Sequence, residues 1–430
     1  MLKDFCCKNN LLLVGYILIT TFLLYYRDVV GVMISKYIFV AITVIFSLVV
    51  NYQTLLSLMA FSLPLLCGLP GNFFLPVWVV LILYHLSKLR RFDYRGALLF
   101  AGFVILFEFF HYLFYSYSVG IMDFVGYSCA LILLSVLSNN ASDLDYSKPV
   151  LFFCIGSCVL LIIAYLVYMQ NNALLFDRGV RMGGDAYRED GVMSLSSTAN
   201  AIGLFSSSCI ACAITLYYYQ RIKIIPLFAI VLPAFYCGMF SVSRTWVLSL
   251  VLVLLFFFVF NKEHKKYGYI LLGLLLVVIG YFVKSNPDFL NMFVDRFTDD
   301  TIETGGGRTT LFGKYNDFLI EHWGNLLFGT GALIYKEVTG IFVGTHNGLQ
   351  QILVSYGVVG FVIFMIAFWK VLCRNYTKGH YMALLPMVAV VFFLQTIQVL
   401  NPHYGLYTLL IAFWVMKMVQ IDTKGLQKSL

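Results

Sequence analysis

The chain has 430 residues, of which 61% are hydrophobic and only 12% charged. Soluble domains carry about one quarter charged residues, so a soluble globule is excluded. The net charge of +8 sits in short basic clusters between apolar runs, without interleaved stacking aromatics. That pattern points to positive-inside membrane topology and away from nucleic acid.

The apolar runs are long enough to cross a bilayer, which takes about 20 helical residues. Only helix bundles and closed barrels satisfy their backbone groups in lipid. Runs such as Val247–Phe260 are continuous rather than alternating, which selects helix. The N-terminal run lacks a small-residue cleavage site and reads as an uncleaved first span. Spans are expected near 10–26, 35–50, 53–68, 72–87, 96–116, 119–138, 149–168, 200–219, 225–241, 244–260, 268–284, 357–373, 382–400 and 404–420. Pro64 and Pro70 mark a candidate re-entrant pair within 29–87. The fold class is therefore all-α, a polytopic transmembrane bundle of 12–14 helices forming one membrane domain over 1–430.

With the N-terminus inside, the basic clusters fall on one side. They are Lys88, Arg90 and Arg91; Arg221 and Lys223; Lys262, Lys265 and Lys266; Arg374 and Lys378; Lys424 and Lys428. Both termini are then cytoplasmic. The ten cysteines contain no paired CxxC motif and read as small core residues.

Two hydrophilic segments break the pattern, both on the outer face: 169–199 and the large loop 285–356. Within the second, Leu311, Tyr315, Phe318 and Leu319 recur at helical spacing, so an amphipathic helix over 308–323 is expected to lie on the membrane. Long loops of this kind usually carry function.

The outer loops are rich in arginine for that side: Arg178, Arg181, Arg188, Arg296 and Arg308. Arg188 and Arg296 have acidic neighbours to pair with. Arg244 opens the run FSVSRTWVLSL, and the nearest acidic residue, Glu263, lies beyond the far end of the same span. Arginine's planar fork suits phosphate oxygens, so these residues fit a lipid-linked diphosphate or a soluble anion.

Glu108 and His111, three apart in one span, share a helix face. They are either a functional pair or a mutually satisfied one. His85 and His264 receive no role, while His403 and Tyr404 could line a site. His346, followed by Asn347, opens an outer-face helix. It either caps that helix or takes up a proton near neutral pH. No His or Cys cluster, Gly-x-Ser-x-Gly elbow or phosphate-binding loop accompanies it, so no metal or cofactor is expected.

His346, Asn347, nine residues, Gly357, two residues and Gly360 match a motif of the Wzy / O-antigen ligase superfamily, which this chain resembles. Ser241-Val242-Ser243-Arg244 followed by Leu248, Arg181, Asn200, Gly307-Arg308 and Phe328-Gly329-Thr330-Gly331 resemble further family motifs, in order across 181–360. The resemblance implies Arg244, Arg181 and Arg308 as diphosphate ligands and His346 as the catalytic base. Asn347, Arg178, Arg188, Glu108 and His111 become candidate lining.

The implied activity is a metal-independent, inverting glycosyltransferase of the bacterial inner membrane. Its donor is an undecaprenyl-diphosphate-linked glycan, and a chain-length regulator is a candidate partner. Aromatic richness and the weak match outside the core favour a repeat-unit polymerase. A ligase acting on lipid A–core is the alternative. An anion or lipid transporter is a third reading, without an inverted repeat to support it.

Overall fold

The computed structural model describes residues 2–67, 71–87, 97–114, 120–138, 144–170, 198–261, 265–285, 291, 294, 308–397 and 405–429. Among these residues there are seventeen α-helices and no strand. The first group is α1 Leu2–Tyr25, α2 Lys36–Val49, α3 Tyr52–Ser62, α4 Gly71–Ser87, α5 Ala97–Phe114 and α6 Ile121–Ser138. Next come α7 Ser147–Gln170, α8 Ala199–Tyr218, α9 Ile224–Met239, α10 Arg244–Phe260 and α11 Lys265–Ser285. The large loop contributes α12 Arg308–Glu321, α13 Trp323–Phe328 and α14 Tyr335–Thr339. The chain closes with α15 Gly348–Asn375, α16 Leu385–Phe393 and α17 Gly405–Ser429.

Among the described residues, six helices are long and apolar enough to cross a membrane, and seven shorter apolar helices stand with them. The expected polytopic bundle is present. The helix starts follow side-chain capping: Asn51 accepts from Thr54 N at 2.8 Å, and Thr198 from Ala201 N at 3.2 Å. Pro64 opens a turn between helices, while Pro70, the second mark of the candidate re-entrant pair, lies outside the described residues. α3 stops at Ser62, a 3-10 turn covers Pro64–Cys67, and α4 begins at Gly71.

At the centre stands α8, whose residues 201–216 are all buried. It packs against α7, α9, α10 and α16. These contacts matter for function because they bring the start of α10 and the end of α16 to the start of α8.

Two expectations about the large loop change. The stripe on α12 does not lie free on a membrane: Tyr315 and Leu319 are buried with Tyr335 and Val354, and Leu311 and Phe318 pack on the same cluster. Helical spacing identifies an apolar face but not what covers it. The last residues of the loop are also helical. Helix α15 starts at Gly348 and is interrupted at Gly357, where φ is 62° and ψ −169°. Beyond the break, 358–375 is 18 residues, about 27 Å of helix, which alone matches a hydrocarbon layer of about 30 Å. Before it, 348–356 is a separate half-helix of nine residues, about 13 Å long.

Candidate active site

Helix α10 begins with an unusual backbone. Val242 has φ +44°, a left-handed conformation that is a genuine outlier for a β-branched residue. The turn delivers Ser243 as the cap, its Oγ accepting from Trp246 N at 3.4 Å. The same hydroxyl donates to Asn200 Oδ1 at 2.9 Å, tying the start of α10 to the first turn of α8. Arg244 is then the first helical residue and is half-buried. Its guanidinium has no hydrogen bond or ion pair among the described residues. A cation here faces the positive end of the helix dipole, which is unfavourable by about 0.3–1 kcal/mol. Nothing in local folding favours this placement; an anion would.

Helix α15 begins in the same manner. His346 has φ +49° and is exposed. The cap is its neighbour: Asn347 Oδ1 accepts from Leu349 N at 3.0 Å and Gln350 N at 3.1 Å. The capping alternative for His346 therefore falls, because Asn347 performs that task and leaves the imidazole outside the helix. The approach to His346 is pinned from α12. Tyr315 donates its hydroxyl to Val343 O at 2.7 Å, and Gln350 Nε2 donates to Phe312 O at 2.9 Å. Burial pushes the Tyr315 phenol above its ordinary value, so it stays a donor.

These starts share one end of the bundle. Gly203, in the first turns of α8, lets Trp246 and Phe393 close in: a Cβ there would stand 2.9 Å from Trp246 Cβ and 3.2 Å from Phe393 Cζ. The next residue, Leu394, accepts from Gly348 N at 2.6 Å. A continuous set of contacts thus runs from Asn200 through Ser243 and Trp246 to Gly348. It gathers the N-termini of α8, α10 and α15, capped by Thr198, Ser243 and Asn347. Three positive dipole ends thus lie at this end of the bundle, an arrangement that favours anions; Arg244 opens one of these helices and the exposed His346 precedes another.

The other end of the half-helix rests on different elements. A Cβ on Gly357 would overlap the backbone of Leu327, and one on Gly329, with φ +85°, would overlap that of Ser355. Two segments of the chain cross there at backbone distance, which only glycine permits. The carbonyls released by the break are taken up across the crossing. Thr330 N and Gly331 N donate to Val354 O and Ser355 O at 3.0 and 2.8 Å, and Thr330 Oγ1 also donates to Val354 O at 3.1 Å. This is the structural meaning of the Phe-Gly-Thr-Gly stretch.

Glu108 serves this crossing. Its Oε1 accepts from Tyr356 OH at 2.8 Å and from Ala332 N at 2.5 Å. Of the two readings of the Glu108–His111 pair, mutual satisfaction is not among the contacts of Glu108 in the described residues. The His111 ring lies tilted at 35° against Phe107, centroids 4.3 Å apart, and Nδ1 is 3.0 Å from Phe107 O. Sequence spacing gave the shared face but could not show Tyr356, 248 positions away. Arg178, Arg181, Arg188, Arg296, His403 and Tyr404 lie outside the described residues, as does the side chain of Arg308, whose backbone opens α12.

Residues 228–365 match the model of the O-antigen ligase family. This supports the Wzy / O-antigen ligase superfamily. Its members are membrane glycosyltransferase-like ligases and polymerases. The match covers both helix starts, Arg244 and His346, together with the break at Gly357, whereas Glu108 lies before it. No curated protein and no solved structure gives a significant match.

Proposed function

We propose that the chain is a polysaccharide repeat-unit polymerase. It moves a glycan from undecaprenyl diphosphate to the terminal sugar of another lipid-linked repeat unit, at the outer face of the bacterial inner membrane. The observation that carries this reading is the linkage of three capped helix N-termini, one opened by Arg244 and one preceded by His346. Such an arrangement suits a diphosphate leaving group whose charge grows as the anomeric bond breaks.

In the reaction the acceptor hydroxyl oxygen bonds to the anomeric carbon, and the bond from that carbon to the diphosphate oxygen breaks. The electron pair leaves with the diphosphate, held by Arg244 and, on the family resemblance, by Arg181 and Arg308. The hydroxyl proton passes to His346, a task for a general base. Single in-line displacement inverts the anomeric centre. The chemistry needs no metal, since the leaving group is held by fixed cations. With this face outward, both chain termini lie in the cytoplasm.

Transfer to lipid A–core is the second reading, favoured by the ligase description of the matching family. Purified full-length protein in nanodiscs separates the two. Lipid-linked repeat units alone should yield a ladder on the polyprenyl carrier. A product appearing only when lipid A–core is added identifies a ligase, and no product with either acceptor rejects glycan transfer.

A further inference from the structure

Glu108 is buried to 2% exposure among apolar helices, and glycan transfer assigns it no chemical step. Its contacts give it a different task. Tyr356 is the last residue before the break in α15, and its hydroxyl is 2.7 Å from Tyr127 OH on α6 and 2.8 Å from Glu108 on α5. The same carboxylate oxygen holds Ala332 N, in the segment that crosses the break. One atom of α5 therefore ties both crossing strands. The half-helix that it fixes at Tyr356 carries Asn347 and His346 at its other end, where Gly348 N is fixed to Leu394 O at 2.6 Å.

We propose that Glu108 and Tyr356 are positioning residues, a buried latch that sets the half-helix and hence the place of His346. The consequence for activity rests on the transfer reading above, but the latch itself does not. The latch needs an acceptor oxygen at position 108, not an ionisable one. A glutamine keeps that oxygen for both donors; an alanine removes it. A proton relay through Glu108 would instead require the carboxyl and would treat the two substitutions alike.

The test uses the full-length protein in nanodiscs with Glu108→Ala, Glu108→Gln and the volume-conserving Tyr356→Phe. Two readouts are taken: hydrogen exchange of peptides spanning 329–333 and 341–350, and transfer rate against donor concentration. Glu108→Ala and Tyr356→Phe should speed exchange in both peptides. They should also lower the maximal rate, by up to about 10²-fold for a displacement near 1 Å, with KM for the donor nearly unchanged. Glu108→Gln should resemble the wild type in both readouts.

Unchanged exchange in Glu108→Ala and Tyr356→Phe overturns the latch. Faster exchange with an unchanged rate overturns its role in placing His346. A Glu108→Gln variant as slow as Glu108→Ala, with wild-type exchange, overturns positioning in favour of the relay. If the wild type itself transfers no glycan, the transfer reading fails, and the exchange readout still judges the latch.

Discussion

The starts of α10 and α15 follow one plan and use it differently. Each has a left-handed non-glycine residue, then a polar cap, then helix: Val242, Ser243, Arg244 in one, and His346, Asn347, Gly348 in the other. In α10 the charged residue comes after the cap, inside the helix and against its dipole. In α15 the imidazole comes before the cap, on the strained residue itself, clear of the helix. The first placement sets a cation against the helix dipole, where a nearby anion is favoured. The second sets an exposed imidazole before the helix, outside its hydrogen-bond ladder. Backbone strain at both starts costs about 1–3 kcal/mol each, and such strain persists where the surroundings over-determine the geometry.

The two helices also differ in continuity, and this difference can be broken most severely. α10 is uninterrupted, whereas α15 turns at Gly357. Gly357→Ala should force a side chain into the Leu327 backbone at a φ that L-residues rarely adopt. A loss on the order of 4 kcal/mol or more is expected, read as failure to recover monodisperse protein. Gly273→Ala, where a Cβ meets nothing within 4 Å, should be recovered normally.

Arg244→Lys keeps the charge at the α10 start and removes the planar fork. Transfer should fall by about 10²–10³-fold, as for loss of one transition-state donor, with normal insertion and thermal stability. A rate near wild type would show that a point charge suffices there.

Smaller effects sharpen the comparison of the caps. Ser243→Ala and Asn347→Ala should each cost about 1 kcal/mol of stability. Ser243 also donates to Asn200, so its loss should loosen the joint between α8 and α10, measured as faster exchange in peptides covering 199–206. The smallest change is Tyr315→Phe, which removes the bond to Val343 O at about 0.5–1.5 kcal/mol. Thermal unfolding followed by intrinsic fluorescence would register it as a modest fall in midpoint.

Much of this was legible in the sequence, and the reasons differ by feature. Continuous apolar runs locate spans because lipid imposes a period-free code, and the Ser243-Arg244 and His346-Asn347 pairs stand out as polar residues at the edges of such runs. The spacing of Leu311, Tyr315, Phe318 and Leu319 correctly marks a helix face, yet a stripe reads the same whether protein or lipid covers it. The break was missed because Gly357 looks like the start of a span rather than the middle of a helix. What reveals it is a second glycine, Gly329, on a segment that no local pattern places beside it. The hydrogen-bond partner of Glu108 is not legible in the sequence, because Tyr356 reaches it only through the tertiary fold.

The most direct test of the central claim, that His346 is chemically active and not a helix cap, is His346→Asn. Asparagine is among the few residues that tolerate a left-handed backbone, and Asn347 still caps α15, so the fold should be untouched. Donor binding and transfer rate are measured on the same purified variant in nanodiscs. The expected result is wild-type binding of lipid-linked repeat unit with transfer slowed by about 10²–10⁴-fold, the usual cost of losing a general base. A wild-type ladder from His346→Asn would contradict the account and leave leaving-group stabilisation by arginine as the whole of catalysis.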